Sequence, residues 1–177
     1  TGSDYFRIET QQKNNNVIRF KPDDTILAIG NVDGNVELWD LGTRKRISEV
    51  RAHTAQVNDI EFNRILGQMA TAGNDKRIKI YNIRNINDLT LPPVTLSDNE
   101  GVVVEIQFSP DGQYIVSGTN EGTQNLVSRA VHADNLVKDI CTLVTRNMTQ
   151  EEWDAYVGKD IPLEKTCRDS VFKIKVK

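Results

Sequence analysis

The chain lacks any apolar run approaching the roughly 18 residues needed to cross a bilayer as a helix. It also lacks a basic N-terminal stretch followed by an apolar one, so no secretory signal is expected. Thr1-Gly2-Ser3-Asp4 reads instead as a cut end or a cloning remnant. Excess charge is small: 22 Lys and Arg against 25 Asp and Glu leave a formal net charge of -3. A mildly acidic chain is poorly suited to nonspecific binding of nucleic acid or an anionic membrane, so neither is an expected partner. Only two cysteines occur, Cys141 and Cys167. They exclude a disulfide-dense scaffold and fit a reducing compartment, which predicts a cytoplasmic location. What is present, 177 residues with 38% hydrophobic and 27% charged, suffices for one globular domain, or one with an appendage.

Self-similarity is the dominant signal. Val17-Ile18-Arg19-Phe20, a turn at Lys21-Pro22-Asp23-Asp24, Ile26 to Gly30, Asp33-Gly34 and Val36-Glu37-Leu38-Trp39-Asp40 form one unit. A second runs through Val57 to Phe62, Met69 to Asp75 and Ile78 to Asn82. A third runs through Val103 to Phe108, Ser109-Pro110-Asp111-Gly112, Tyr114 to Gly118 and Glu121-Gly122. The equivalent phenylalanines, Phe20, Phe62 and Phe108, stand 42 and 46 residues apart. Such a period with short strands points to propeller blades. Ile60 and Phe62 alternate with Asp59 and Glu61, as a half-buried strand requires. Proline at 22 and 110 presets a turn, and glycine at 112 permits positive φ. Residues 46–50 and 94–96 are short and polar enough to be outer edge strands.

On these residues the chain resembles the WD40 repeat family. Trp39-Asp40 matches the family's terminal dipeptide, Tyr81-Asn82 is a conservative variant of it, and Ala52-His53 stands where Gly-His is usual. The resemblance covers roughly residues 15–128. It implies a hydrogen-bonded structural tetrad in the second blade from His53, Thr71, Asp75 and Tyr81. The first blade retains Asp33 and Trp39 but has Ile29 at the hydroxyl position. The third retains Ser117 but has Glu121 and Val127 in place of Asp and Trp. His53 is therefore expected as a buried strut and not as a catalytic base.

After about residue 129 the periodicity changes. Leu136, Val137, Ile140, Cys141 and Val144 predict a helix over 133–146, with Asp134 and Arg146 suited to its ends. Thr149 and Glu152 form a capping box for a second helix, with Trp153, Tyr156 and Val157 on one face and Gly158 closing it. Residues 171–176 alternate as a final strand. Cys141 reads as a buried small hydrophobe, and Cys167 as packed near it or as a free thiol. A disulfide between them is disfavoured by the reducing compartment. A zinc site from His53, His132, Cys141 and Cys167 lacks any short ligand pair. The segment Cys141 to Trp153, with Tyr156-Val157-Gly158 and Glu164 to Cys167, is similar to the tail closing WD40 arrays in bacterial multidomain regulatory proteins. That resemblance implies an upstream P-loop NTPase of STAND or NACHT type, or an effector domain. No P-loop motif lies in this chain.

The expected fold is all-β: a partial WD40 propeller of about three blades with a small α-helical C-terminal appendage. Residues 1–14 are expected as an edge segment or the end of a preceding blade, 15–129 as the blades, and 130–177 as the appendage with its terminal strand. Because propellers close with about four to eight blades, the chain is either part of a longer protein or forms a homodimer completing a six-bladed ring. The expected function is non-catalytic protein binding, as scaffold or sensor, with no cofactor or metal. The polar loop residues Asn31, Asn74, Asp98, Asn99, Glu100 and Asn120 are candidate partner contacts. A propeller hydrolase is the alternative. It would need ionisable residues converging in a pocket, and none occur at motif spacing.

Overall fold

The computed structural model describes residues 7–10, 14–84, 92–123, 125–132, 141, 144, 146–156, 158–160, 162–163, 165 and 167. The chain divides into two compact units, Thr1–Arg129 and Ala130–Lys177.

Three antiparallel sheets succeed one another. The first comprises β1 (Asn15–Phe20), β2 (Ile26–Asn31), β3 (Asn35–Asp40) and β4 (Lys45–Arg51), in that spatial order. The second comprises β5 (Val57–Asn63), β6 (Gln68–Gly73), β7 (Ile78–Asn82) and β8 (Val94–Leu96), again in order. The third has three strands, β9 (Val103–Phe108), β10 (Tyr114–Thr119) and β11 (Leu126–Ala130). Each sheet is a blade in the WD40 manner, and the unit is a partial propeller. The innermost strands pack in sequence, β1 against β5 and β5 against β9.

The phenylalanine register is the same in every blade. Phe20 pairs with Leu27, Phe62 with Met69 and Phe108 with Ile115. Their burial is not the same. Phe62 and Phe108 are buried, whereas Phe20 is 57% exposed. Phe62 shares a core with Ile26, Ala28, Val36 and Leu38 of the first blade, so this face of each blade looks back to the preceding one. Phe20 looks back to where no described blade stands. At the other end, Val116 is 39% and Leu126 76% exposed.

The turns follow their chemistry. Asp24 at φ 58° and Gly112 at φ 70° occupy equivalent left-handed positions after the prolines. Asp23 and Asp111 each cap the turn by accepting the amide two residues on, from Thr25 and Gln113.

One strand expectation is corrected. Asp59 is not a solvent-side residue of a half-buried strand, since it is 4% exposed. The face opposite Ile60 and Phe62 meets the next blade, not water. Asp59 there accepts from the Ile106 amide at 3.0 Å and from Arg19 Nη2 at 2.6 Å.

In the second unit, helix α1 (Gln150–Tyr156) begins at the capping box. The Glu152 amide donates to Thr149 Oγ1 at 3.3 Å, and the Thr149 amide donates to Glu152 at 2.9 Å. Gly158, at φ 134°, closes the helix by donating to the Trp153 carbonyl at 3.1 Å. The expected helix over 133–146 lies mostly outside the described residues. Cys141 is helical, but Val144 and Arg146 are not. Arg146 does not end that helix; its guanidinium grips both oxygens of Glu152 at 2.6 Å. The expected strand at 171–176 lies outside the described residues. The thiol expectation is overturned: Cys141 and Cys167 are joined by a disulfide. Both are buried, as expected of Cys141, and the Asn147 side chain brackets Cys167 through its carbonyl and amide. A bonded pair is the form favoured by oxidising compartments, so the cysteines no longer argue for a reducing one.

Candidate functional site

The second blade brings three of the four expected tetrad residues into one chain of hydrogen bonds. His53 enters from the link between β4 and β5, Thr71 from the middle of β6, and Asp75 from the turn after β6. His53 Nδ1 lies 2.8 Å from Asp75 Oδ1, and Nε2 lies 2.8 Å from Thr71 Oγ1. A carboxylate accepts only, so Nδ1 carries the proton and Nε2 accepts from the threonine hydroxyl. The imidazole sits against Gly73, where an added Cβ would fall 2.5 Å from the ring. Asp75 also receives the Thr54 amide at 3.1 Å.

Burial is the largest influence on His53 and pushes its pKa below 6.5, although Asp75 pulls the other way. Burial thus favours the neutral ring. Burial pushes Asp75 upward, but the Thr54 amide and His53 outweigh it and the net shift is down. Tyr81 does not complete the chain. It is buried opposite Met69, two residues along from the Thr71 pair, and no hydrogen bond joins its hydroxyl to Thr71, His53 or Asp75 among the described residues. Burial, aided by the Asp75 charge, raises its pKa to about 12.

The first blade uses a different residue. Trp39 donates its indole N–H to Glu37 Oε2 at 2.8 Å, and Glu37 is paired in register with Ile29. The carboxylate thus occupies the slot left by the missing hydroxyl. Glu37 is 2% exposed, and Arg46 approaches its other oxygen at 3.7 Å. Asp33 is exposed and is not joined to Trp39. A charged residue opposite an aliphatic one in a central strand was the available signal for Glu37. In the third blade, Ser117 is buried and accepts from Arg129 Nη1 at 3.0 Å, while Arg129 pairs with Asp98 at 3.0 Å.

Two of the candidate loop residues are not surface contacts. Asn31 is buried and caps its own turn by accepting the Asp33 and Asn35 amides. Asn99 is buried and donates to the Lys76 carbonyl at 2.9 Å. Asn74, Asp98, Glu100 and Asn120 are exposed. Among the described residues no group of three His, Cys, Asp or Glu is arranged to hold a metal ion, and no helix is long and apolar enough to cross a membrane.

Residues 5–90 match the family model of eukaryotic translation initiation factor eIF2A. Residues 92–123, from β8 through β10, match the model of the WD domain, G-beta repeat. The anaphase-promoting complex subunit cdh1 of Dictyostelium discoideum is 31% identical over 56% of this chain and 13% of its own length. Autophagy-related protein 16 of Arabidopsis thaliana is 28% identical over 65% of this chain and 23% of its own. Gem-associated protein 5 of Homo sapiens is 28% identical over 60% and 8%. The chain therefore spans less than a quarter of these relatives. A chain in the crystal structure of the mitotic checkpoint complex superposes with a TM-score of 0.55 at 19% identity, over 64% of this chain and 33% of that one. This last likeness concerns the fold.

Proposed function

We propose that this chain is a non-catalytic WD40-type interaction module, the scaffold or sensor part of a larger regulatory protein. The observation that carries the reading is the state of His53. The strongest candidate base is 1% exposed, and both its ring nitrogens are committed to Thr71 and Asp75. It braces a sheet and offers no lone pair to a substrate. Tyr81 packs beside this chain, while Asp33, Trp39 and Ser117 are its partial counterparts. The names of the relatives support protein partners, since they include a complex subunit and an associated protein. In this reading residues 15–129 present loops and 130–177 form the appendage. A bacterial setting and an upstream NTPase rest on the 141–167 resemblance alone, because the relatives above are eukaryotic.

The test compares two surfaces. Asn74→Arg with Glu100→Arg, on exposed loops, should abolish binding of a captured and purified protein partner in calorimetry, with circular dichroism confirming that the fold is kept. Ester or peptide turnover lost in His53→Gln at unchanged Tm would overturn the reading.

A second reading, self-association into a six-bladed homodimer, is favoured by one observation: apolar side chains are exposed on both end faces, Phe20 on one and Leu126 on the other. Sedimentation of the chain should then give a dimer that Leu126→Glu dissociates. A folded monomer at micromolar concentration would exclude it.

A further inference from the structure

We propose that the groove between the first two blades, beside the β1–β2 and β5–β6 turns, docks an acidic protein segment carrying an apolar side chain. This deepens the interaction reading above and rests on it.

The groove encloses about 480 Å³. Its floor is Phe62 and Ile83, both buried, and Pro22 stands at its side. Ile65, 63% exposed, adds an apolar edge that water now covers. Around this floor stand Lys21, Arg64 and Arg84, with Asp23 as the acid among the lining residues. Lys21 and Asp23 pair with each other, so their charges offset. Two arginines then set the sign of the rim. Arg84 is steadied by a 3.2 Å bond from Nε to the Leu66 carbonyl, with its stem laid over Gly67. Arg64 is exposed beside it. An apolar floor with two guanidinium groups at its edge fits a hydrophobic side chain flanked by carboxylates, which guanidinium can take bidentately.

The equivalent groove between the second and third blades is a built-in comparison. It encloses about 240 Å³ and is lined by Phe108, the counterpart of Phe62, and by Pro110, which stands where the first groove has Arg64. Arg64 is shared by both grooves; in the second it lies beside Glu61, so that rim carries one charge of each sign, whereas the first adds Arg84. The two grooves share their architecture but differ in charge, and only the first selects for acid. A nucleic acid would need a longer run of phosphate contacts than two arginines provide.

Fluorescence anisotropy of the full 177-residue chain with the labelled peptide GEEFELDG tests this. Saturable binding is expected, weakened by salt, and lost by about tenfold or more in Arg64→Glu with Arg84→Glu. Arg51→Glu, a charge reversal at an exposed position outside the groove, should leave affinity unchanged. The peptide GKKFKLKG should not bind. Arg64→Gln with Arg84→Gln repeats the test with charges removed and not reversed, and circular dichroism confirms the fold of each variant. Unchanged affinity in both arginine pairs, an equal loss in Arg51→Glu, or equal binding of an oligothymidine would overturn the assignment. If the purified partner of the loop-face test still binds the arginine variants, the groove fails while the interaction reading stands.

Discussion

At the scale of single residues, the His53 chain makes stability depend on pH with a definite sign. Burial holds the folded pKa of His53 below its ordinary value of 6.5. As pH falls through that value the unfolded chain takes up a proton that the native ring refuses. The contribution is therefore complete above 6.5 and is lost on acidification. Urea midpoints measured between about pH 8 and about pH 5.5 should fall toward the acid end, and the difference between wild type and His53→Gln should shrink in parallel. A midpoint that rises on acidification would mean a charged imidazole. Thr71→Val leaves Nε2 buried without its donor and should cost about 1–3 kcal/mol. Gly73→Ala should cost at least as much, because its methyl would stand 2.5 Å from the ring and both neighbours are held. Calorimetric Tm values rank the two. Histidine, hydroxyl and carboxylate were legible through the resemblance to the WD40 repeat, which implies their roles. Glu37 was not, because a buried carboxylate replacing a hydroxyl breaks the pattern by which the hydroxyl is sought.

At the scale of elements, the repeat was legible because backbone geometry recurs even where side chains differ. Gly34, Lys76 and Gly122 fall at one repeat position, with φ of 91°, 63° and 103°. Two blades place glycine there and one places lysine, which pays about 1 kcal/mol for the left-handed conformation. Lys76 recovers part of this through its bond to the Glu100 carbonyl at 2.9 Å. Lys76→Gly should thus stabilise the second blade by about 0.5 kcal/mol or less, the difference of two opposing terms. Matched denaturation curves would reveal the sign, and a loss above that size would show that the lysine contact dominates. The positions of β1 to β10 were legible within a residue or two, including the short β8, since turn formers bracket these strands, whereas β11 was not placed. The Cys141–Cys167 bond was not legible. Spacing of 26 residues carries no pairing information, and composition pointed to a reducing setting. The bond closes a loop whose entropy is worth about 3 kcal/mol in the chain-entropy model. Reduction should therefore quicken proteolysis between residues 141 and 167, read by mass spectrometry with and without dithiothreitol. Equal rates would show that the bond constrains little.

At the scale of the whole blade array, neighbouring sheets are held by a repeated device that the alternation of apolar and polar residues conceals. The innermost strand of every blade carries a register break at one repeat position: between Asn15 and Val17, between Val57 and Asp59, and between Val103 and Glu105. The residues inside these breaks are Asn16, Asn58 and Val104. A bulge re-aims its extra side chain, and both asparagines reach the next blade. Asn16 Nδ2 donates to the Val57 carbonyl at 2.9 Å, and Asn58 Nδ2 donates to the Val103 carbonyl at 2.8 Å. Asn63 adds a third crossing, to the Gly112 carbonyl at 2.9 Å. Val104 has no amide to offer and is 45% exposed, so the third blade cannot extend this latch to a fourth. Repeat arrays are stabilised largely by nearest-neighbour interfaces. Removing one latch should then weaken one interface and spare the other. Asn58→Val, which copies the third blade's residue, should cost about 1–2 kcal/mol. Its hydrogen-exchange signature should be local: amides of β9 and β10 lose protection, while those of β2 and β3 keep theirs. Asn16→Val should loosen the first interface and leave β9 and β10 protected. Uniform loss across all three sheets in both variants would mean that the blades open as one unit, and that the asparagines contribute to it without dividing it.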